Sequence, residues 1–300
     1  MNYKKIFSNQ KTRFAILKFL SFIPDRIMLS IQYYIKLGRW PNLNTPKRYS
    51  EKLQVYKMKY RNPLMGKCVD KYEVREYVKD CNLGNLLNEC YGVYDDATQI
   101  NFKNLPNKFV IKTTDGGGGN NVIICKDINS LDIDDSISKL NSWLNVKDIN
   151  PGREWAYTQI KKSRIIVEKY IESDETLGGL IDYKFFCFNG KCDYLYVIAD
   201  RVIGRVAGFG IYDRNFNKLE VTRNDENPLQ RIIEKPSNFN YMLQCAEKLS
   251  EVFPHVRVDM YNVEGKVIFG ELTFYNGSGY MSFTPDEFDY ILGANFQIQQ

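Results

Sequence analysis

Four consecutive glycines, Gly116, Gly117, Gly118 and Gly119, separate the apolar run Phe109-Val-Ile-Lys-Thr113 from Asn121-Val-Ile-Ile-Cys125, and the first run carries a single lysine, Lys112. Glycines in such a row can bring bare backbone N–H groups against phosphate oxygens, with the lysine charge beside them. No Gly-Lys-Ser/Thr follows and no helical pattern opens there, so the P-loop arrangement is excluded. The pattern reads as strand, loop, strand. It is either a hairpin clamped over a nucleotide or a flexible hairpin tip without a ligand.

A second group lies near the C-terminus, in Val256-Arg-Val-Asp-Met-Tyr261 and Val267-Ile-Phe-Gly-Glu-Leu-Thr-Phe274. Strand alternation puts Arg257, Asp259 and Tyr261 on one face, and Glu271 and Thr273 on one face with Phe269. With Glu264-Gly265-Lys266 as the loop, Asp259 stands opposite Glu271 with Cβ atoms about 5 Å apart. Facing carboxylates repel unless a cation lies between them, and hard oxygen ligands on a hairpin suit Mg²⁺. Arg257 would share that wall and could stabilise charge on a transferring phosphoryl group. The alternative is a solvated polar face on which Arg257 bridges the two acids.

Other chemistries are poorly supplied. The seven cysteines (68, 81, 90, 125, 187, 192 and 245) include no Cys-x-x-Cys pair, and His255 is the sole histidine. A zinc centre and a histidine-based nucleophilic triad are therefore not expected; reduced thiols in a cytosolic protein are. His255, next to Pro254, is expected to be structural.

The elements that must position these groups follow from periodicity. Helices are expected over the basic residues 1–40, from Ser50 (a candidate N-cap) to Tyr60, over 70–79, over 133–145 and over 241–251. Strands are expected over 107–112, 121–125, 164–171, 182–188, 193–200, 256–261 and 267–274. Asn189-Gly190 is a strong hairpin signal between two of them. Three hundred residues, 44% hydrophobic, suffice for two or three lobes, and no repeat or Pro/Gly-rich linker divides them. Charge is uneven: residues 1–60 hold 13 Lys/Arg against Asp25 and Glu51, a net of +11, whereas the remaining 240 hold 28 basic and 34 acidic side chains, a net of −6. The run Phe14–Ile23 is too short and too charged to span a bilayer. It suits either an amphipathic helix on an anionic membrane or a basic helix packed on the body. No nucleic-acid motif is visible, and nucleic acid is not an expected partner.

Set in order, Asp70-Lys71-x-x-x-Arg75, Val110-Ile-Lys112 with its glycine loop, Ile165-Ile-Val-Glu-Lys-Tyr-Ile171, Arg257-x-Asp259 and Phe269-Gly-Glu-Leu-Thr273 resemble an ATP-grasp enzyme. Within that superfamily the chain is most similar to the TupA-like family associated with bacterial surface-polysaccharide gene clusters, over about residues 20–295. Asp182-Tyr-Lys-Phe-Phe-Cys-Phe-Asn-Gly190 adds to the likeness. The resemblance implies an α+β fold in which two lobes grip a nucleotide behind basic N-terminal helices. The expected divisions are 1–65 (basic helical region), 66–170 (lobe with the glycine loop) and 171–300 (lobe with the metal-binding hairpin).

The resemblance also implies roles. Arg75 and Lys112 would contact phosphates, and Gly116 to Gly119 would close over them. Glu168 and the backbone of Tyr170 and Ile171 would read the adenine edge, and Asp182, or else Glu175, would take the ribose. Asp259, Glu271 and Thr273 would hold Mg²⁺; many relatives have Asn in place of Thr273, so either Asn276 completes the shell or one ion binds weakly. Lys184 and Arg201 would touch phosphate or substrate, and Asp115 stands where many relatives have His. The implied activity is ATP-dependent ligation of a carboxylate to an amine through an acyl phosphate, with Arg257 and Lys112 catalytic. In that family setting the acid and amine would be a uronic acid of a surface glycan and an amino acid. The alternatives are a glycosyltransferase of the same pathway and a nucleotide-binding module without catalysis. Residues 1–40 would make peripheral contact at the cytoplasmic face of the membrane.

Overall fold

The structure is a computed structural model and describes residues 17, 19–116, 121–145, 150, 152–173, 179–200 and 207–298. Two antiparallel sheets carry the architecture. The first has strand order β1-β4-β2-β3, from β1 (Cys90–Tyr94), β2 (Phe109–Thr113), β3 (Val122–Cys125) and β4 (Ile165–Lys169). The second has order β10-β9-β5-β6-β7, from β5 (Asp182–Phe188), β6 (Lys191–Ala199), β7 (Gly208–Asp213), β9 (His255–Val263) and β10 (Lys266–Thr273). A short pair, β8 (Thr222–Arg223) and β11 (Phe283–Thr284), lies apart. The helices are α1 (Asp25–Leu37), α2 (Tyr49–Lys59), α3 (Leu64–Val69), α4 (Val74–Asp80), α5 (Ile133–Leu144), α6 (Phe239–Ser250) and α7 (Glu287–Asn295).

In the first sheet, alternation sorts the faces. Phe109, Ile111, Ile165 and Val167 pack with Leu140 of α5 in one hydrophobic cluster. The intervening Val110, Lys112 and Glu168 are thereby delivered to the other side. Lys112 pairs with Ile166 and Glu168 with Val110, so Lys112 and Glu168 are diagonal neighbours across β2 and β4. In the second sheet, β5 is buried along its whole length because both faces are covered. Phe185 stacks toward Phe239 of α6, and Phe186 meets Tyr49 of α2. Helices α2, α3 and α4 share the large cluster with this sheet.

Three local expectations are corrected. Ser50 does not cap α2, which begins at Tyr49; its N–H and hydroxyl both donate to Asp289 of α7, at 2.9 and 2.6 Å. The β9–β10 loop holds two residues, Glu264 (φ 51°) and Gly265 (φ 80°), where three were expected. A bulge between Phe269 and Glu271 supplies the missing residue, so Asp259 still pairs with Glu271. The same bulge pairs Phe269 with Met260 and takes it out of step with Glu271, against the expected shared face.

Candidate functional site

A cleft of about 660 Å³ opens between the two sheets. On the first-sheet wall Lys112 Nζ lies 2.6 Å from Glu168 Oε2, and Arg75 Nη1 lies 3.2 Å from Glu168 Oε1. Arg75, on α4, is fixed further by donating to the Asn88 carbonyl at 2.8 Å. One buried carboxylate thus aims two cations along the same wall. Tyr170, Ile171 and Asp182 also line this cleft.

The facing hairpin carries a transverse row set by strand register: Glu271 on β10, Asp259 on β9 and Lys184 on β5. Asp259 is 2% exposed. Arg257 grips it with two bonds, Nε to Oδ1 at 2.7 Å and Nη2 to Oδ2 at 2.6 Å, and Lys184 donates to Oδ2 as well. Burial raises the Asp259 pKa, but Arg257 and Lys184 more than offset this, so it lies below the usual carboxylate value. Arg257 Nη2 also reaches Glu271 Oε1 at 3.4 Å and Thr273 Oγ1 at 3.1 Å, and Nη1 donates to Asn276 Oδ1. The arginine therefore bridges the two acids, but on a face where Asp259 and Arg257 are buried rather than solvated.

A smaller cavity of about 210 Å³, lined by Arg257, Glu271 and Thr273, adjoins the hairpin. Lys71 and Gly270 line both cavities. Lys71 was not singled out from the sequence, although it lies inside the Asp70–Arg75 motif. Its Nζ donates to the Gly116 carbonyl at the entry to the glycine loop. Burial lowers its pKa, opposed by the nearby charges of Glu271 and Asp115. Lys126, just past β3, and Lys169 also line the main cleft and were missed. Lysines at strand ends carry no periodic signal that marks them out.

The cavity walls divide the expected residues. Lys112, Arg75, Glu168, Tyr170, Ile171 and Asp182 border the larger space, whereas Arg257, Glu271 and Thr273 border the smaller. Asp259 lines neither; it lies beneath, held by its two cations. Lys184 stands 3.7 Å from Asp182 and ties the cleft to the row. Gly116 borders the smaller cavity; Gly117, Gly118, Gly119, Glu175 and Arg201 lie outside the described residues. Near Gly270 the backbones run close: a Cβ there would stand 3.0 Å from the Asp259 carbonyl oxygen.

The match that decides the family covers most of the chain: residues 51–297 fit the sequence model described as TupA-like ATPgrasp. The chain belongs to the TupA-like ATP-grasp family. Its α+β architecture is the ATP-grasp fold. No curated protein matches it significantly. Solved structures similar to it include a D-alanine–D-alanine ligase from Bacillus anthracis (20% identity, TM-score 0.42, 69% of this chain and 57% of that one). Others are the Helicobacter pylori D-alanine–D-alanine ligase (14%, 0.42, 78% and 60%) and an L-amino acid ligase from Bacillus licheniformis (12%, 0.44, 92% and 57%). The chain spans between 57% and 60% of the length of these three.

Within this ATP-grasp site the donor set suits a hard divalent cation: two carboxylates and a hydroxyl on adjacent strands. Glu271 fits best, with its side chain 45% exposed and only Oε1 engaged among the described residues. Thr273 Oγ1 donates to Glu271 Oε1 at 3.2 Å and so lies beside that carboxylate. Both Asp259 oxygens are shared with Arg257 and Lys184. Asn276 is committed elsewhere, its carbonyl oxygen to Arg257 and its amide to Met281 Sδ at 3.1 Å.

Proposed function

We propose that this protein is an ATP-dependent carboxylate–amine ligase working through an acyl phosphate. The observation that carries the reading is the meeting of two oppositely built walls at Lys71 and Gly270. One presents Lys112 and Arg75 toward the cleft; the other presents Glu271 and Arg257, with Asp259 beneath them. Family membership supports the same assignment.

In this reading Lys112, Arg75 and Lys71 hold the phosphate oxygens of ATP. Glu168 orients Lys112 and Arg75 and, with the backbone of Tyr170 and Ile171, faces the adenine edge; Asp182 takes the ribose hydroxyls. Gly116 to Gly119 act as a lid that excludes water from the reacting groups. Glu271, Thr273 and Asp259 are the residues that would hold Mg²⁺, Asp259 when Lys184 exchanges its carboxylate for a phosphoryl oxygen. The bound ion would supply charge neutralisation on the transferring phosphoryl group.

A substrate carboxylate oxygen bonds to the γ-phosphorus as the bond to the ADP oxygen breaks, and Arg257 and Lys112 stabilise the phosphoryl oxygens throughout. The amine nitrogen then bonds to the acyl carbon, phosphate departs, and the nitrogen loses a proton to give the amide. No side-chain nucleophile is required.

The finer assignment is an amino acid joined to a uronic acid of a bacterial surface or capsular polysaccharide. It would occur on the cytoplasmic side, with residues 1–40 in peripheral contact with an anionic membrane. Association of the family with surface-polysaccharide genes and the basic head support it. The test is an ADP-release screen of amino acids crossed with uronic-acid glycans. Release that requires both an acid and an amine, and is abolished in Lys112→Ala, is the expected outcome. ATP bound without turnover across the panel would favour a binding module, and sugar transfer from a nucleotide sugar without ADP release would favour a glycosyltransferase.

A further inference from the structure

Helix α1 is apolar on two sides: Met28, Leu29 and Tyr33 are buried, while further apolar residues face outward beside the exposed Asp25, Arg26 and Lys36. Gln32 Oε1 accepts from the Tyr280 hydroxyl at 2.6 Å, and the Lys36 ammonium stands 4.1 Å above the Tyr280 ring. The outward stripe is Ile27, Ile31, Tyr34 and Ile35, all exposed, at the i, i+4, i+7 and i+8 spacing of one helix face. Phe19 (77% exposed) and Phe22 (75%) extend it before the helix. Trp40 (63%) extends it after, stacked on Tyr34 at 4.7 Å. Of the fifteen exposed large hydrophobic residues among those described, these seven lie within residues 19–40. Contiguous exposed apolar surface of this kind marks a binding face.

We infer that this stripe seats in the headgroup–acyl boundary of an anionic bilayer. The inference rests on the peripheral membrane contact proposed above and adds the face that makes it. Charge selects the occupant. Residues 1–18, which precede the stripe in the sequence, carry Lys4, Lys5, Lys11, Arg13 and Lys18 and no acid. Arg39 and Arg48 are paired with Asp286 and Asp289, so the unpaired basic excess lies toward the N-terminus, where it would attract anionic lipid. A second copy meeting the first through the same face would bring two like-charged N-terminal segments together. A tryptophan and a tyrosine at the end of the stripe suit a water–lipid boundary. Among the described residues no helix is long and apolar enough to cross a membrane, so the seat is along the surface. Apolar burial plus basic attraction makes two signals, which a stable peripheral contact needs.

The test is flotation of the full chain with phosphatidylcholine vesicles, with and without phosphatidylglycerol, using Ile31→Gln/Ile35→Gln and, as a control at a distant exposed site, Ile232→Gln. Binding is expected to require phosphatidylglycerol, to weaken about tenfold in the double variant and to be unchanged in Ile232→Gln, with ATP affinity equal in all three. If the double variant binds as tightly as the parent, charge alone makes the contact and the face assignment is overturned while peripheral contact stands. If the parent does not bind phosphatidylglycerol vesicles, both are overturned. A concentration-dependent dimer lost in the double variant, with no vesicle binding, would assign the stripe to self-association and overturn the inference.

Discussion

Replacing Asp259 by Asn removes one negative charge from a position 2% exposed, where Arg257 makes two bonds of 2.7 and 2.6 Å and Lys184 a third. One carboxylate oxygen becomes an NH₂ group aimed at two cations. Breaking a buried pair from one side costs about 3–5 kcal/mol, because the partner charges remain without compensation. Here Arg257 keeps Asn276 and a 3.4 Å approach to Glu271, and Lys184 keeps Asp182 at 3.7 Å. The lower end, about 3 kcal/mol, is therefore expected, or a melting temperature lower by roughly 6–12 °C at about 2–4 °C per kcal/mol. Adding Lys184→Met removes the excess cation and should recover about 1–3 kcal/mol, a coupling typical of groups in one network. Thermal unfolding of the parent, both single variants and the double variant measures the cycle. A loss below about 1 kcal/mol for Asp259→Asn, or single losses that add within about 0.5 kcal/mol, would refute the account of the row.

His255 is buried, bonded to Tyr49 Oη at 2.8 Å and the Cys187 carbonyl at 2.9 Å, and burial lowers its pKa to about 3. Unfolding lets it take a proton below about pH 6.5, so stability is full above that value and falls with acidification, by about 2 kcal/mol at pH 5. Urea midpoints should show this slope in the parent and lack it in His255→Gln. Gly270→Ala places a Cβ 3.0 Å from the Asp259 carbonyl oxygen, so the two strands must part slightly beside the acid pair. Turnover should fall about tenfold or more while thermal stability drops by only about 1–2 kcal/mol, since a small displacement of reacting groups costs rate steeply. Lys112→Ala leaves Glu168 with Arg75 as its remaining cation and should weaken ATP binding about tenfold by isothermal calorimetry, with little change in melting temperature.

The strands were legible where pattern and turn agree. Asn189-Gly190 marked the β5–β6 hairpin, and both residues have positive φ, at 50° and 77°. The facing of Asp259 and Glu271 was also readable, but through a different route: a two-residue loop and the bulge at Gly270 add up to the same offset as a three-residue loop. Strands β1 and β7 gave no usable signal. β1 is half-buried along its length, and β7 begins Gly-Phe-Gly, where glycine masks alternation. Lys71 stands in its motif without a role of its own because its place comes from tertiary packing, which sets it between two cavities whose walls are almost 200 residues apart in sequence. Ser50 shows the same limit: its capping chemistry was genuine, but a carboxylate from α7 claimed it.

The central claim is that a substrate carboxylate is activated by phosphorylation at the junction of the two walls. The most direct measurement uses an acid that supports ADP release, labelled with ¹⁸O in its carboxylate and incubated with ATP and the amine. The account predicts that inorganic phosphate carries one ¹⁸O atom for each amide formed, because the acyl phosphate gives up its bridging oxygen with the phosphate. Unlabelled phosphate alongside amide product would contradict it.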